Sequence, residues 1–360
     1  AVMSLELLAT RVLAPHLGTS LFTWTALIAT FLLALALGAW AGGTLADRAP
    51  RPRTLALLLV AASAATALLP FAAAPLLGWL AASPADLRLR ALAASFLFAP
   101  PAALLGAVSP LAARIRIQTV NSCGAQVGRL YAVSTLGSLA GTLATGFFLL
   151  AWIGSARLLL LQALLLLAAS FLAEPRALLP ARGAALVALA LSAMLAPAPT
   201  LVLPNAQLVA DVDSPYQRLL VFDLPLAGRA PARVLAMGAE EYHSAQLLDQ
   251  PAALPLDYTR FFRLAPALLA RLDRALTIGA GAYSQPRDLL RQRPTARVDV
   301  VELDPAVTEL AASHFGLQPD ARLRIFHEDG RTFLNRGGGA VYDAIFLDVF
   351  RGRTVPFHLI

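Results

Sequence analysis

Four long apolar stretches, Ser20 to Leu45, Thr54 to Leu80, Leu87 to Ala113 and Leu130 to Trp152, constrain this chain more than any other feature. Each is long enough, as a helix, to cross about 30 Å of hydrocarbon, which takes ~20 residues. A helix on the surface of a soluble protein carries one apolar stripe, whereas these segments are apolar all round. Arg157 to Ala173 reads as a shorter fifth span and Ala1 to Ala14 as the remnant of another. Gly183 to Leu203, interrupted by Pro197 and Pro199, is the weakest of about seven. The expectation is a multi-pass α-helical membrane domain over residues 1–203.

Charge supports it. The chain is 58% hydrophobic and 14% charged, where soluble domains carry roughly one quarter charged residues. All 29 basic residues are arginine. Up to about residue 200 there are 12 Arg against 4 acids, and beyond it 17 Arg against 18 acids. The basic excess therefore belongs to the apolar half, which argues against nucleic acid as a partner and for a lipid bilayer. Arg48, Arg51 and Arg53, then Arg114, Arg116 and Arg129, then Arg176 and Arg182 fall in connections two spans apart, which places them on one cytoplasmic side. A true seventh span would put the rest of the chain outside. Either Gly183 to Leu203 is re-entrant or interfacial, leaving a cytoplasmic domain at the inner (plasma) membrane, which is the expectation, or the domain is extracytoplasmic. The N-terminus has no charged n-region or cleavage site and starts inside an apolar stretch, so it reads as cut rather than as a signal peptide. With Cys123 alone, neither an intrachain disulfide nor a thiolate metal cluster can form, and no metal is expected.

Within the apolar half, Glu6 and Arg11 are each expected to face a partner or a polar cavity, because unpaired charge there costs at least about 2.5 kcal/mol. Gly137 and Gly141, with Ser134, Ser138 and Thr145, are expected to seat a neighbouring helix. The loop from Gly43 through Asp47 and Arg48 to Arg53 resembles the one that major-facilitator transporters carry between their second and third spans, although its two prolines depart from that pattern.

From about Leu208 the texture changes to short β-rich runs, charges and turns. Residues 204–262 read as a small β unit, with strands Tyr216 to Asp223 and Ala232 to Met237 and a turn at Pro225 and Gly228. Over residues 263–360 helix and strand alternate. The helices are Phe262 to Leu272, Pro286 to Arg291 and Pro305 to Phe315. The strands are Ala275 to Ile278, Arg297 to Val301, Arg322 to Phe326 and Tyr342 to Leu347. That alternation implies a parallel, doubly wound α/β sheet of Rossmann-like type. The chain ends before the later strands such a sheet would have, so the core is expected to be incomplete.

Gly279-Ala-Gly281 ends the first of these strands, where glycine lets backbone approach a ligand and the next helix offers free N–H groups. About twenty residues on, Glu302 ends the second strand, where a carboxylate accepts both hydroxyls of a ribose. Asp304 before Pro305 suits a helix N-cap. Asp329-Gly330 follows the third strand, where an acid and a backbone N–H can read an adenine edge. Asp348 ends the fourth. Acids at successive strand ends converge on one crevice.

These runs, together with Ser214-Pro-Tyr216-Gln217, Arg287-Asp288 and Tyr342-Asp-Ala-Ile-Phe-Leu-Asp348, are similar in order and spacing to spermidine synthases, from about Asp211 to the end. With the apolar half in front, the chain resembles bacterial fusions of a transporter-like membrane domain to a spermidine synthase-like one. The resemblance implies no permanently bound cofactor but S-adenosylmethionine, or its decarboxylated form, as co-substrate. It makes Gln217, Gly279, Gly281, Glu302, Asp329 and Gly330 the nucleoside site, Asp348 the general base, Tyr216 and Arg351 substrate-side residues, and a homodimer the expected assembly. Departures accompany it. The family's turn carries an acid where Ala282 stands and glycines where Tyr283 and Ser284 stand. Its second acid falls at Arg351, a cation that would repel a polyamine. The substrate segment is only loosely matched at Ala239 to Ser244, where His243 reads as a surface histidine. Three functions follow: an aminopropyl transferase acting on a polyamine, a methyl or alkyl transferase on the same cradle, or a nucleoside sensor on a transporter-like membrane protein.

Overall fold

The computed structural model describes residues 1–18, 20–117, 123–176, 178–195, 205–225, 230–238, 241–336 and 342–349. The chain divides into two compact units, Ala1–Val202 and Leu203–Ile360.

The first unit is helical: α1 (Val2–Leu17), α2 (Leu21–Arg48), α3 (Pro52–Ala82), α4 (Leu87–Ser95), α5 (Ala99–Arg116), α6 (Cys123–Ala144), α7 (Leu150–Ile153), α8 (Ser155–Ala173) and α9 (Leu179–Leu195). A 3-10 turn at Phe96–Phe98 joins α4 to α5, and a π turn at Thr145–Leu149 joins α6 to α7. Among the described residues, five helical rods are thus long and apolar enough to cross a bilayer: Leu21–Arg48, Pro52–Leu80, Leu87–Arg116, Cys123–Ile153 and Ser155–Ala173. The fourth begins at Cys123, earlier than the Leu130 expected, because helix continues through the polar turn around Gln126 and Arg129. With 16 and 17 residues, α1 and α9 reach only about 25 Å, short of the hydrocarbon thickness. The outer part of the seventh apolar segment, with Pro197 and Pro199, lies outside the described residues.

α6 seats α1 at Gly141, whose carbonyl accepts Ser4 Oγ at 3.3 Å, but among the described residues the tightest glycine contacts lie between α2 and α5. A Cβ on Gly38 would stand 2.0 Å from the Ala103 carbonyl oxygen, one on Gly42 2.5 Å from Ala107 Cα, and one on Gly106 2.8 Å from the Leu35 carbonyl oxygen. Glycine on both partners lets the backbones touch. On α6, a Cβ at Gly137 would meet nothing within 4 Å, and Gly141 approaches only Ser4 Oγ, at 3.1 Å. Glu6 and Arg11 are both half-buried on α1. Arg182 is not a loop charge. It is 1% exposed and donates to the carbonyls of Ser170 and Glu174, both at 2.5 Å, at the C-terminus of α8. The guanidinium thereby adds a second donor to the Ser170 carbonyl, which Glu174 N already reaches at 3.2 Å, and puts a cation at the negative end of the helix.

The second unit contains an antiparallel sheet, β1 (Gln207–Asp213), β2 (Arg218–Pro225), β3 (Pro231–Gly238) and β4 (Glu241–Leu247), paired in sequence order. The outer strands β1 and β4 were not anticipated. β1 carries a bulge between Leu208 and Ala210, which breaks its alternation. β4 reads Glu-Tyr-His-Ser, too polar for a core strand. Pro225, expected in the turn, is instead the last residue of β2 and pairs with Pro231, while Gly228 lies outside the described residues. Leu219, Leu220, Val221 and Phe222 are all at most 1% exposed, so β2 is covered on both faces. On one of those faces, Leu219, Val221 and Leu235 pack against Ala282, Val307, Leu310 and Phe315 of the following core. Burying each such side chain contributes about 1.5–3 kcal/mol.

Two short helices, α10 (Asp257–Phe261) and α11 (Leu264–Leu268), replace the single helix expected from Phe262, breaking at Phe262–Arg263. The core follows as β5 (Arg274–Ile278), α12 (Ser284–Gln292), β6 (Arg297–Glu302), α13 (Pro305–His314), β7 (Leu323–His327), α14 (Gly330–Arg336) and β8 (Ala344–Leu347). Its strands are parallel in the order β7-β6-β5-β8, a Rossmann-like sheet whose strand order reverses between β5 and β8. Ala275, Val298 and Val300 face Leu289 and Leu290 of α12, while Leu276, Ile278 and Val301 face Phe326 and Phe333. Ligands bind such sheets outside the C-terminal strand ends at the point of reversal.

Candidate active site

The turn after β5 is built where side chains cannot fit. Gly279 has φ +81°, and a Cβ there would stand 2.1 Å from the carbonyl oxygen of Asp348. Gly281 has φ +50°, and its Cβ would stand 2.2 Å from Ser244 Oγ. Only glycine combines that backbone with that proximity. The turn is tied on both sides: Gly279 N donates to the Val301 carbonyl (2.9 Å) and Asp348 N to the Ile278 carbonyl (2.8 Å). Tyr283 is left-handed too, with φ 59°, a costly conformation for a side-chain-bearing residue. It is fully buried, and its hydroxyl meets Thr308 Oγ1 at 2.7 Å. Thr308 in turn meets His327 Nε2 at 3.0 Å. The tyrosine thus fills core space behind the turn.

Glu302, 9% exposed at the end of β6, holds this turn from below. Its Oε2 accepts Ala280 N at 2.9 Å and its Oε1 accepts Asp304 N at 3.0 Å. Burial pushes its carboxyl above the ordinary range, against the pull of those two N–H groups. Each carboxylate oxygen has a second acceptor direction, so the geometry suits two vicinal hydroxyls. Asp304 caps α13, with Oδ1 accepting Ala306 N at 3.1 Å, as its place before Pro305 implied.

Asp348 stands beyond the end of β8, its backbone against Gly279. Burial pushes its carboxyl up to about 6; the nearby His243 opposes this, the charge of Glu302 adds to it, and a hydrogen bond from Tyr258 opposes it. The Tyr258 hydroxyl also lies 2.8 Å from the His243 carbonyl, and burial, then Asp348, hold its phenol above the usual range. The two carboxyls, at the ends of the strands flanking β5, therefore lie close enough for the charge of Glu302 to push the Asp348 carboxyl up.

Of the other expected residues, Gly330 starts α14 so close to β5 that a Cβ would stand 2.5 Å from Ile278 Cγ2. Asp329 caps that helix, accepting Thr332 N at 2.9 Å and Thr332 Oγ1 at 3.1 Å. Tyr216 is exposed and Gln217 half-buried in the turn between β1 and β2. That turn is held to the site through Ser214, whose Oγ lies 2.6 Å from Asp304 Oδ2. Arg351 lies outside the described residues. Arg287 and Asp288 face away from the turn's ligand side: Arg287 donates to the Phe315 carbonyl, and buried Asp288 takes a bidentate pair from Arg263 at 2.8 Å.

Three residues of this pocket were missed or undervalued. Ser244 on β4 is 6% exposed and accepts Ala282 N at 2.9 Å. His243 is no mere surface histidine: it is half-buried, and its carbonyl accepts the Tyr258 hydroxyl at 2.8 Å beside Asp348. Tyr258 carried no motif at all; only its place after an acid, in Leu-Asp-Tyr258, hinted at a helix start.

No protein-family model matches the chain. Over its C-terminal part it is homologous to polyamine aminopropyltransferases. It is 31% identical over 163 residues to the polyamine aminopropyltransferase of Vibrio vulnificus, covering 43% of this chain and 52% of that one. It is also 31% identical over 268 residues to that of Corynebacterium efficiens, covering 68% of this chain and 50% of that one. The latter match exceeds the second unit and so extends into the helical one. The chain spans about half the length of the curated relatives it matches. A solved structure of a probable spermidine synthase from Corynebacterium glutamicum aligns at 24% identity and TM-score 0.35, covering 43% of this chain and 55% of that one.

Proposed function

We propose that the chain is a membrane-anchored aminopropyl transferase that moves the aminopropyl group of decarboxylated S-adenosylmethionine to a polyamine or related amine. The carrying observation is the pairing of Glu302, braced by two backbone N–H groups, with Asp348 at about 6 in the same pocket. Glu302 accepts the ribose hydroxyls, and Gly279 and Gly281 admit the nucleoside close to backbone. Asp329 and Gly330 border the adenine, and Gln217 and Tyr216 cover it from the β1–β2 turn. The anionic pocket favours a sulfonium donor beside an ammonium acceptor.

The amine nitrogen attacks the aminopropyl carbon next to sulfur. The C–N bond forms, the C–S bond breaks, its electron pair goes to sulfur, and methylthioadenosine leaves. The acceptor ammonium first gives a proton to Asp348, ionised above about pH 6 and held by Tyr258, and that transfer frees the lone pair for this attack. Arg351, three positions after Asp348 where the resembled family has a second acid, would bias the choice of amine by its charge.

The five apolar rods anchor the unit in the inner membrane, with the transferase in the cytoplasm. The Gly43 to Arg53 loop supports a major-facilitator-like origin for that anchor. The full chain in detergent, given decarboxylated S-adenosylmethionine with putrescine or spermidine, should release methylthioadenosine and the extended amine in equal amounts. Turnover only with S-adenosylmethionine would replace this reading by methyl transfer, and binding without turnover by a sensor.

A further inference from the structure

We infer that Ser214 is a positioning residue for nucleoside affinity, acting through the β1–β2 turn; this rests on the nucleoside-site reading above. Ser214 is 2% exposed. Its hydroxyl has one proton and two acceptor directions, and the fold uses all three. Tyr216 N and Gln217 N donate to Oγ at 3.1 and 3.0 Å. Oγ has two acceptors in reach, Asp304 Oδ2 at 2.6 Å and the Gln217 carbonyl at 2.9 Å. The single proton goes to the charged and nearer oxygen, because Ser214 N already donates to the Gln217 carbonyl at 2.8 Å.

What the serine holds is not an isolated turn. Asp304, 1% exposed, donates its own N–H to Glu302 Oε1 at 3.0 Å, and Glu302 Oε2 accepts Ala280 N at 2.9 Å. One unbroken chain of hydrogen bonds therefore runs from the turn bearing Tyr216 and Gln217, through the carboxylate of β6, to the glycine turn of β5. These are the three segments that would enclose a nucleoside. They lie up to 90 positions apart in sequence, so their spacing is set by this chain rather than by local geometry. Pre-ordering them removes a cost otherwise met on binding.

The test is the affinity of methylthioadenosine for the full chain in detergent, by calorimetry. Ser214→Ala should weaken it about tenfold, Ser214→Thr should restore most of the loss, and the effect of Ser214→Ala should shrink to under about threefold in a Gln217→Ala background. A merely structural serine would lower the melting temperature but leave affinity and that coupling unmoved, which would overturn the inference. If Ser214→Ala does not fold, Asp304→Asn carries the test, since it weakens the same bond while keeping an oxygen for the α13 cap; unchanged affinity there refutes the role. Absence of binding by the wild-type chain removes the nucleoside reading and this role together, whereas wild-type binding with an indifferent Ser214→Ala removes this role alone.

Discussion

Asp348→Asn should lose turnover and gain stability, and both effects can be sized from the pocket. The substitution keeps shape and an acceptor for the Tyr258 hydroxyl but cannot take a proton, and general-base catalysis is worth about 10²–10⁴. We expect kcat to fall at least about a hundredfold while methylthioadenosine affinity moves less than about threefold. The wild-type rate should rise tenfold per pH unit up to about pH 6 and level off above it, because the base works only when ionised. The stability change has the opposite sign. Burial lifts the carboxyl from 3.8 to about 6, so between those values the folded chain holds a proton that the unfolded chain has released. Stability therefore falls as pH rises through that window, by up to about 3 kcal/mol at 1.36 kcal/mol per unit, an upper figure because the carboxylate is partly open to solvent. Asparagine never ionises and escapes that cost. At pH 8 the variant should melt several degrees above wild type, and at pH 4 with it. Turnover within twofold of wild type, or an unchanged low-pH limb, would refute the assignment of Asp348 as base.

Three further outcomes follow from the same geometry. Tyr258→Phe removes a hydrogen bond that holds Asp348 down, so the acidic limb of the pH–rate profile should move above 6 by a fraction of a unit, and a limb that stays put would separate Tyr258 from the base. Glu302→Ala removes the acceptor of two buried N–H groups as well as the ribose contact; calorimetry should show methylthioadenosine weakened about tenfold or more, with a stability loss of about 1–3 kcal/mol for each orphaned donor. Gly279→Ala meets the Asp348 carbonyl in a left-handed backbone, so it should cost at least about 2 kcal/mol in thermal unfolding and distort the base's position, whereas alanine at open Gly137 should cost far less.

Length and hydropathy alone determined that long apolar rods come first and a strand–helix alternation second, because each depends on neighbours within twenty or so residues. The glycine turn at Gly279 and Gly281 and the cap at Asp304 were legible for the same reason, one local backbone demand met by one residue type, although the left-handed φ of both glycines came only with the structure. Asp329 marks the limit of that reading. An acid before glycine at a strand end serves as a cap or as a ligand contact in identical sequence, and in the fold it caps α14. Small residues along one face of α6 pointed to close packing, which Gly141 makes against Ser4 of α1, but the tighter crossing of α2 and α5 was not foreseen, since it needs glycine on both partners at facing positions. Arg182 likewise counted as a loop charge until α9 folded it back onto the end of α8. Ser244 under the glycine turn, Ser214 on Asp304 and Tyr258 beside Asp348 were decided by tertiary structure alone. A single hydroxyl has no period and no hydropathy signature, and its partner is chosen only when strands 38 or 90 positions apart are brought within 3 Å.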